Sequence, residues 1–282
     1  MKRRIVSLLL IVSFIGIIVV VSSCCVCWNW GGQERYERTE NLSAPMTGLE
    51  RLSADTSFGD VKINGADTAD CSVAAKITGN APTTEEAKQL AEQTQIKLEP
   101  DGKTLVIRAA KPHLKNNRSI GVAYDITIPT KTCVNCKTSF GDIKLINIGG
   151  DIDSHTSFGD VDIEKISGKI LLDTSYGDVD CKQIVSPDFS AKTSFGKIDI
   201  EFSDACPVDL KAKIETSYGD VKVGLPSSFA GRVSAETSFG KIETDLPILV
   251  KGAFGKDHLT GTVGQGAGSL DLKTSFGSVK IK

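Results

Sequence analysis

The sequence predicts a mainly β protein, a β-solenoid preceded by a small α+β part that contains one helix. Three observations predict this class. The motif Thr-Ser-aromatic-Gly occurs eight times, and 27 glycines accompany an apolar content of 40%, as in a packed body with many turns. From residue 131 onward the copies recur at intervals near 20 residues, which is typical of stacked repeats that bury their apolar faces against one another. The motif threonines are Thr56, Thr138, Thr156, Thr174, Thr193, Thr216, Thr237 and Thr274.

The first 23 residues predict a signal peptide or a membrane anchor. A basic start at Lys2 to Arg4 precedes an apolar stretch from Ile5 to Val21. Ser22 and Ser23 before Cys24 match a bacterial lipobox, which predicts a lipoprotein lipidated on Cys24. An uncleaved helical anchor is the main alternative, because a stretch of this length can also cross a bilayer, and simple secretion is a third. Each alternative places the body outside the cytoplasm, at the cell envelope.

Residues 24–41 are predicted to be a tether, since the stretch from Gly31 to Glu40 is polar and charged without an apolar period. The folded domain is predicted over 42–282. In its first part, apolar and polar residues alternate on either side of Gly59, which predicts two short strands joined at that glycine.

A single helix is predicted near 83–95. Thr83 and Glu86 have the spacing of a capping box, and the apolar residues that follow recur on one helical face. The turn signal Pro100-Asp101-Gly102 then predicts a hairpin, and Val122 to Ile128 predicts a further strand.

Regular repeats are predicted over 131–282, with one degenerate turn around Ile248 to Val263. Strand alternation predicts a core formed by the aromatic residue of each motif, its threonine, and the residues two and four before the threonine. Each motif glycine is predicted to form a tight corner. Stacking would then place the aromatic side chains in a buried ladder at about 4.8 Å per step, the main stabilising element.

The residue after the motif glycine is often acidic, which raises the question of a metal. Asp142, Asp160 and Asp178 are weak candidates for calcium, because hard cations prefer carboxylate oxygens. From Asp178 to Lys241 the charge alternates in sign, which instead favours charge pairing between neighbouring repeats.

The motif serines predict a regular row of hydroxyl groups on one outer face. They are either solvated strand positions or a flat surface that matches a repetitive ligand such as a glycan. The weak binding candidates are Ser139, Ser157, Ser175 and Ser194.

The cysteines and histidines do not form a recognisable catalytic or metal-binding pattern. Cys133 and Cys136 lie three residues apart in a predicted strand and therefore point to opposite faces, so Cys136 is predicted to be a buried structural thiol. Cys71 and Cys206 could form disulfides in an oxidising compartment. No catalytic residue, resident metal or cofactor is predicted. The histidines are scattered along the chain at His113, His155 and His258.

Three further segments carry a family resemblance. Ile126-Thr127-Ile128-Pro129, Gly149-Gly150-Asp151-Ile152 and the stretch from His258 to Gly264, together with the repeated motif, resemble the bacterial putative-adhesin family of β-strand-repeat proteins. The resemblance implies a domain of unknown function with a right-handed parallel β-helix at the cell envelope, and relatives linked to envelope stress. It implies no catalytic residues.

The function predicted is a non-enzymatic envelope protein that presents a repetitive surface to a protein, glycan or cell-wall partner. The alternative is a passive structural or self-associating element, since the last motif strand, Val279 to Lys282, is expected at an open solenoid end. Nucleic acid is not an expected partner, because 33 basic residues balance 35 acidic ones and no long basic run occurs.

Overall fold

The structure is a computed structural model that describes residues 32–250 and 255–282. This part of the chain is mainly β, with one helix and two large sheets of 11 and 12 strands. The strands are β1 Glu34–Pro45, β2 Arg51–Asp55, β3 Val61–Ala66, β4 Asp70–Ala81, β5 Gln95–Asp101, β6 Thr104–Ala110, β7 Ser119–Pro129, β8 Cys133–Phe140, β9 Ile143–Ile146, β10 Ile152–Phe158, β11 Val161–Glu164, β12 Ile170–Tyr176, β13 Val179–Ile184, β14 Asp188–Lys192, β15 Ile198–Phe202, β16 Lys211–Glu215, β17 Val221–Gly224, β18 Gly231–Phe239, β19 Ile242–Thr244, β20 Leu249–Val250, β21 His258–Val263, β22 Gly268–Phe276 and β23 Val279–Ile281.

Each motif copy contributes one strand to each sheet, and we call such a pair of strands a layer. In the layer of β10 and β11 the chain leaves one sheet at Phe158 and enters the other at Val161. Neighbouring layers pair in parallel and in register, so that Thr156 lies between Thr138 and Thr174. This arrangement is solenoid-like, because the same structural unit repeats along one axis.

The layers do not follow one another in the order of the sequence at the C-terminal end. The strands of the last motif lie inside the stack: β22 pairs with β16 and β18, and β23 pairs with β17 and β19. The prediction that the last motif strand lies at an open end was therefore wrong. The spatial order of the layers is β2/β3, β8/β9, β10/β11, β12/β13, β14/β15, β16/β17, β22/β23 and β18/β19.

The segment predicted as a degenerate turn folds differently. Strand β21 runs antiparallel to β18 and pairs Gly231 with Val263, and β20 runs antiparallel to β21. The prediction of a further solenoid turn around 248–263 was therefore wrong. The physical reason is the inserted last motif: it occupies the parallel position beside β18, so the connecting segment folds back along the other edge of β18.

The N-terminal end of the stack is covered by antiparallel strands and the helix. Strand β1 pairs antiparallel with β4, and β4 pairs antiparallel with β7. Helix α1, Thr84–Gln93, packs on β1 and β4, and the Thr83 side chain accepts a hydrogen bond from the Glu86 backbone N–H, as the capping spacing predicts. The predicted hairpin is formed by β5 and β6, which pair Asp101 with Thr104.

The predicted tether at 24–41 was wrong for residues 34–41, which belong to β1, and residues 24–31 lie outside the described part. The prediction failed because residues 34–41 are mostly polar, and an edge strand needs few buried apolar residues when its backbone pairs with a neighbouring strand. Here Arg38 also donates hydrogen bonds to the carbonyl oxygens of Ala91 and Thr94 at the end of the helix, at 2.9 and 2.5 Å.

The core lies between the two sheets and agrees with most of the predicted inward positions. In β12 the side chains of Ile170, Leu172 and Thr174 are all buried, and so are Val179 and Cys181 in β13. In residues 32–250 and 255–282, no helix has both the length and the apolar character needed to span a membrane.

Candidate binding surface

The motif aromatic residues form one continuous stack, which we call the aromatic row. Adjacent ring centroids are 4.7–5.0 Å apart and adjacent ring planes differ by 1–7°. The ladder and its spacing are therefore confirmed. In spatial order the row is Phe58, Phe140, Phe158, Tyr176, Phe195, Tyr218, Phe276 and Phe239.

The prediction that these rings are buried in the core was wrong. The eight side chains are 43–68% exposed, whereas the motif threonines two residues earlier are buried in most layers. The row lies at the corner where the chain passes from one sheet to the other, outside the core that the sheets enclose.

The physical reason lies in how tightly the corner packs. The Thr156 hydroxyl donates a 3.1 Å hydrogen bond to the Gly141 carbonyl of the neighbouring layer, and Thr174 bonds Gly159 in the same way. A Cβ on Gly177 would lie only 1.9 Å from the Gly159 carbonyl oxygen. The inside of the corner is thus filled by backbone and threonine, and no room is left there for a ring.

The corner role predicted for the motif glycines is confirmed. Gly141 and Gly159 have φ values of 151° and 157°, which side chains disfavour, and a Cβ on either would meet the backbone of the next layer. The same close contact repeats along the stack.

Stacking determines which part of each ring a partner can reach. Inside the row both faces of a ring are covered by its neighbours, so the exposed part is the ring edge. Sugars are recognised mainly by stacking on aromatic faces, whereas ring edges carry the positive part of the quadrupole and an apolar perimeter. Phe239, at one end of the row, stacks on Phe276 alone among the described residues and is 68% exposed.

The predicted serine row lies beside the aromatic row. The four candidate serines immediately precede an aromatic residue and are partly exposed, in contrast to the buried threonines before them. They are Ser139, Ser157, Ser175 and Ser194. A binding role for these hydroxyl groups stays a prediction.

The residues that follow the motif glycines form a second exposed row, which we call the post-glycine row. Its aspartates connect neighbouring layers: Asp142 Oδ1 accepts a hydrogen bond from the Asp160 backbone N–H at 2.9 Å, and Asp160 Oδ1 accepts one from Asp178 N–H at 2.7 Å. Asp178 in turn accepts from the Lys197 N–H at 2.7 Å. These hydrogen bonds give the aspartates a structural role that does not require a metal.

The calcium hypothesis for Asp142, Asp160 and Asp178 stays a prediction. Each uses one carboxylate oxygen in the row of hydrogen bonds. Within the two described ranges, no group of three or more His, Cys, Asp or Glu residues is placed to hold a metal ion.

The post-glycine row is electrically uneven along the stack. Its first half is wholly acidic, and its second half contains two lysines. In spatial order the row is Asp60, Asp142, Asp160, Asp178, Lys197, Asp220, Ser278 and Lys241. All eight side chains are exposed, so this charge pattern borders the aromatic row along its whole length.

Acidic crowding also affects Asp162, on the outer face of β11. Partial burial raises the pKa of this carboxyl, Lys144 lowers it, and repulsion from Asp180, Asp160 and Asp142 raises it further. The net effect is a pKa above the ordinary aspartate value, so ionised Asp162 destabilises the folded state.

We expect Asp162→Asn to be more stable than the parent at about pH 7, and this advantage to disappear at about pH 3. The sign follows from the raised pKa: the folded parent binds this proton more tightly than the unfolded chain, so the parent gains stability as pH falls through that pKa. Urea unfolding of both proteins at both pH values measures the difference. An unchanged midpoint at about pH 7 would contradict the repulsion.

The cysteines of the described part are all free. Cys136 is fully buried, as predicted, and burial raises the pKa of its thiol to about 12. Cys133 is partly exposed, so the two do not form a reactive pair. Cys71 and Cys206 are buried free thiols, so neither forms a disulfide with another cysteine of the described residues. Cys24 lies outside the described residues.

Strand alternation alone places each aromatic residue on the same side of the strand as the buried threonine two positions before it, so it does not predict that the aromatic row is exposed. The motif itself contained a signal for this exposure. A corner glycine lies at the edge of a sheet, so the aromatic residue directly before it lies outside the space that the two sheets enclose. The side chain of His155 is partly exposed on the outer face of β10, with its Nδ1 atom 3.7 Å from Oδ2 of Asp173.

Residues 42–282 match the family described as Toastrack DUF4097. The chain belongs to this family. Its assignment confirms the resemblance to a putative-adhesin domain of unknown function, and comparison with curated proteins gives no match.

Solved structures of similar proteins are distant in sequence. A putative cell adhesion protein from Clostridium sporogenes is 18% identical, with 88% of this chain and 99% of that chain covered and a TM-score of 0.39. A putative adhesin from Bacteroides fragilis is 12% identical, with 87% and 97% covered and a TM-score of 0.38. A putative adhesin from Parabacteroides distasonis is 10% identical, with 87% and 97% covered and a TM-score of 0.39.

Proposed function

We propose that this Toastrack protein is a non-enzymatic, adhesin-like binding protein of the cell envelope, and that its contact surface is the aromatic row. The observation that carries the proposal is the exposure of eight stacked rings in one line. Seven intervals of 4.7–5.0 Å give the line a length of about 34 Å.

The exposed apolar area supports a contact role. An aromatic side chain presents roughly 150–250 Å² in total, so eight rings that are about half exposed offer about 700 Å². The largest apolar patch on a soluble monomer is typically about 300–600 Å². Leaving this area in water is unfavourable, and a bound partner would remove the cost.

The ring edges favour an apolar or protein partner over a glycan held by ring faces. The serine row offers hydrogen bonds beside the aromatic row, so a cell-wall polymer remains the second candidate partner. A passive structural role is the alternative function. It was based on the expectation that the last motif strand lies at an open end of the solenoid, and β22 and β23 instead lie inside the stack.

The proposal includes the location and winding of the chain. Export and lipidation at Cys24 would tether the domain to the envelope, with a helical anchor as the alternative. We also infer that the layers wind as a right-handed parallel β-helix, since crossovers between parallel strands of one sheet are right-handed in nearly all proteins. A link to envelope stress belongs to the same proposal.

The test holds the N-terminal anchor of the full-length chain in lipid nanodiscs, so that only the domain is free to bind, and measures retention of these discs on envelopes isolated from producing cells. We expect the double substitution Phe140→Ser and Phe158→Ser to weaken retention by about tenfold or more, because hot spots of protein contacts are commonly buried aromatics. Leu171→Ser is the matched control: Leu171 is 48% exposed on the outer face of β12, away from the row. Equal retention of the row variant and the parent would contradict the proposal.

A further inference from the structure

The partner that best fits the aromatic row has the same regular spacing as the row itself. The rings repeat at 4.7–5.0 Å because each belongs to one layer of a parallel sheet. A partner can contact every ring edge in the same way only if its own side chains repeat at that distance. A second copy of this chain meets this condition without any adjustment.

The area is also sufficient for a pair of copies. About 700 Å² of exposed aromatic surface per copy approaches the roughly 800 Å² per partner of a standard protein interface. The flanking serine and post-glycine rows would add polar contacts at the rim, as in other interfaces.

The charge pattern of the post-glycine row selects one orientation. When two copies face each other antiparallel about a two-fold axis across the middle of the row, each position meets its counterpart from the other end. Asp60 then faces Lys241 of the second copy, and Asp178 faces Lys197. Asp142 faces Ser278, which carries no charge and so neither attracts nor repels it strongly. The pair Asp160 and Asp220 is repulsive. Every pair occurs twice by symmetry, so four attractive contacts outweigh two repulsive ones.

A parallel arrangement lacks this complementarity. A two-fold axis along the row would place the post-glycine row of one copy against the serine row of the other, so the four aspartates of the first half would have no cations opposite them. Complementary rim charges determine orientation and register more than they determine affinity.

We infer that the aromatic row binds the aromatic row of a second copy, in an antiparallel arrangement with Asp60 opposite Lys241. The inference rests on the proposed function, since it names the partner of that contact surface. It makes the protein a self-recognising adhesin, in which copies exposed on the envelope pair through their rows.

The experiment uses full-length chains in lipid nanodiscs, one copy per disc, with two disc populations carrying different dyes. Fluorescence cross-correlation measures how often the two dyes diffuse together. We expect concentration-dependent co-diffusion for the parent, and a loss of about tenfold in affinity for Asp60→Lys alone and for Lys241→Asp alone. The double variant exchanges the charges at positions 60 and 241, so these positions again carry opposite charges where they face each other in the antiparallel dimer. Its affinity should therefore recover to within about threefold of that of the parent.

Lys213→Glu, an exposed charge reversal on the outer face of β16, is the control and should leave co-diffusion unchanged. All the substituted side chains are exposed, and circular dichroism verifies that each variant is folded. Absence of co-diffusion by the parent would overturn the inference. Failure of the double variant to recover would overturn the antiparallel register.

Two outcomes separate this inference from the proposed function. If row variants lose retention on envelopes while the parent never co-diffuses, the row contacts a different partner and only the self-pairing fails. If the parent binds empty discs through the row, lipid is the occupant and the self-pairing fails in the same way. If row variants are retained like the parent, the proposed function itself fails.

Discussion

Replacing Gly177 by alanine is expected to destabilise the folded protein by about 3 to 5 kcal/mol. A Cβ at this position would lie 1.9 Å from the Gly159 carbonyl oxygen and 2.5 Å from its carbonyl carbon. Both atoms belong to the backbone of the next layer, which is hydrogen-bonded on either side and cannot move alone. Relief of the clash therefore requires neighbouring layers to separate. The change in the free energy of unfolding is measured by urea denaturation.

Gly224→Ala is the matched control. Gly224 also lies at the end of a layer strand, but its nearest neighbour to an added Cβ is the Ile200 carbonyl oxygen at 3.8 Å, an ordinary contact. We expect a change within about 0.5 kcal/mol there. Equal losses at the two glycines would contradict the close approach of the layers as the cause of the loss at Gly177.

Leu172→Ala is expected to cost about 3 to 5 kcal/mol, the upper part of the range for buried leucines. Leu172 is fully buried in β12, and its partners in register are Ser154 and Ala191. These small side chains cannot fill the space that the leucine leaves, so a cavity would remain between the sheets. Thermal or urea unfolding measures the effect.

The neighbouring residue provides the comparison for this prediction. Leu171 is adjacent in the chain but 48% exposed on the outer face, so Leu171→Ala is expected to change stability by less than about 0.5 kcal/mol. A large loss at Leu171 together with a small one at Leu172 would mean that the two faces of β12 are reversed.

Much of the domain could be predicted from local chemistry. The threonine and the apolar residues before it recur with a period of two, so Ile170, Leu172 and Thr174 could be assigned to the core, and all three are buried. The helix could be predicted because Thr83 carries its own capping signal. These features depend on residues that are close together in the chain.

The polar strand β1 could not be predicted in the same way. Its position depends on backbone pairing with β4, in which Glu34 is opposite Ala81, far away in the sequence. Side chains that lie on an edge strand need not alternate between apolar and polar residues, so the segment resembled a tether.

The sequence by itself determined the repeat, its corner glycines and the stacking of the aromatic residues, because a regular spacing of identical residues allows few other arrangements. Only the tertiary structure decided that the rings lie outside the core and that the last motif lies inside the stack. Both depend on contacts between layers: the Thr156 hydroxyl on the Gly141 carbonyl closes the corner, and β22 fits between β16 and β18. Such contacts join residues whose proximity is fixed by how the layers assemble, and local sequence patterns do not encode that order.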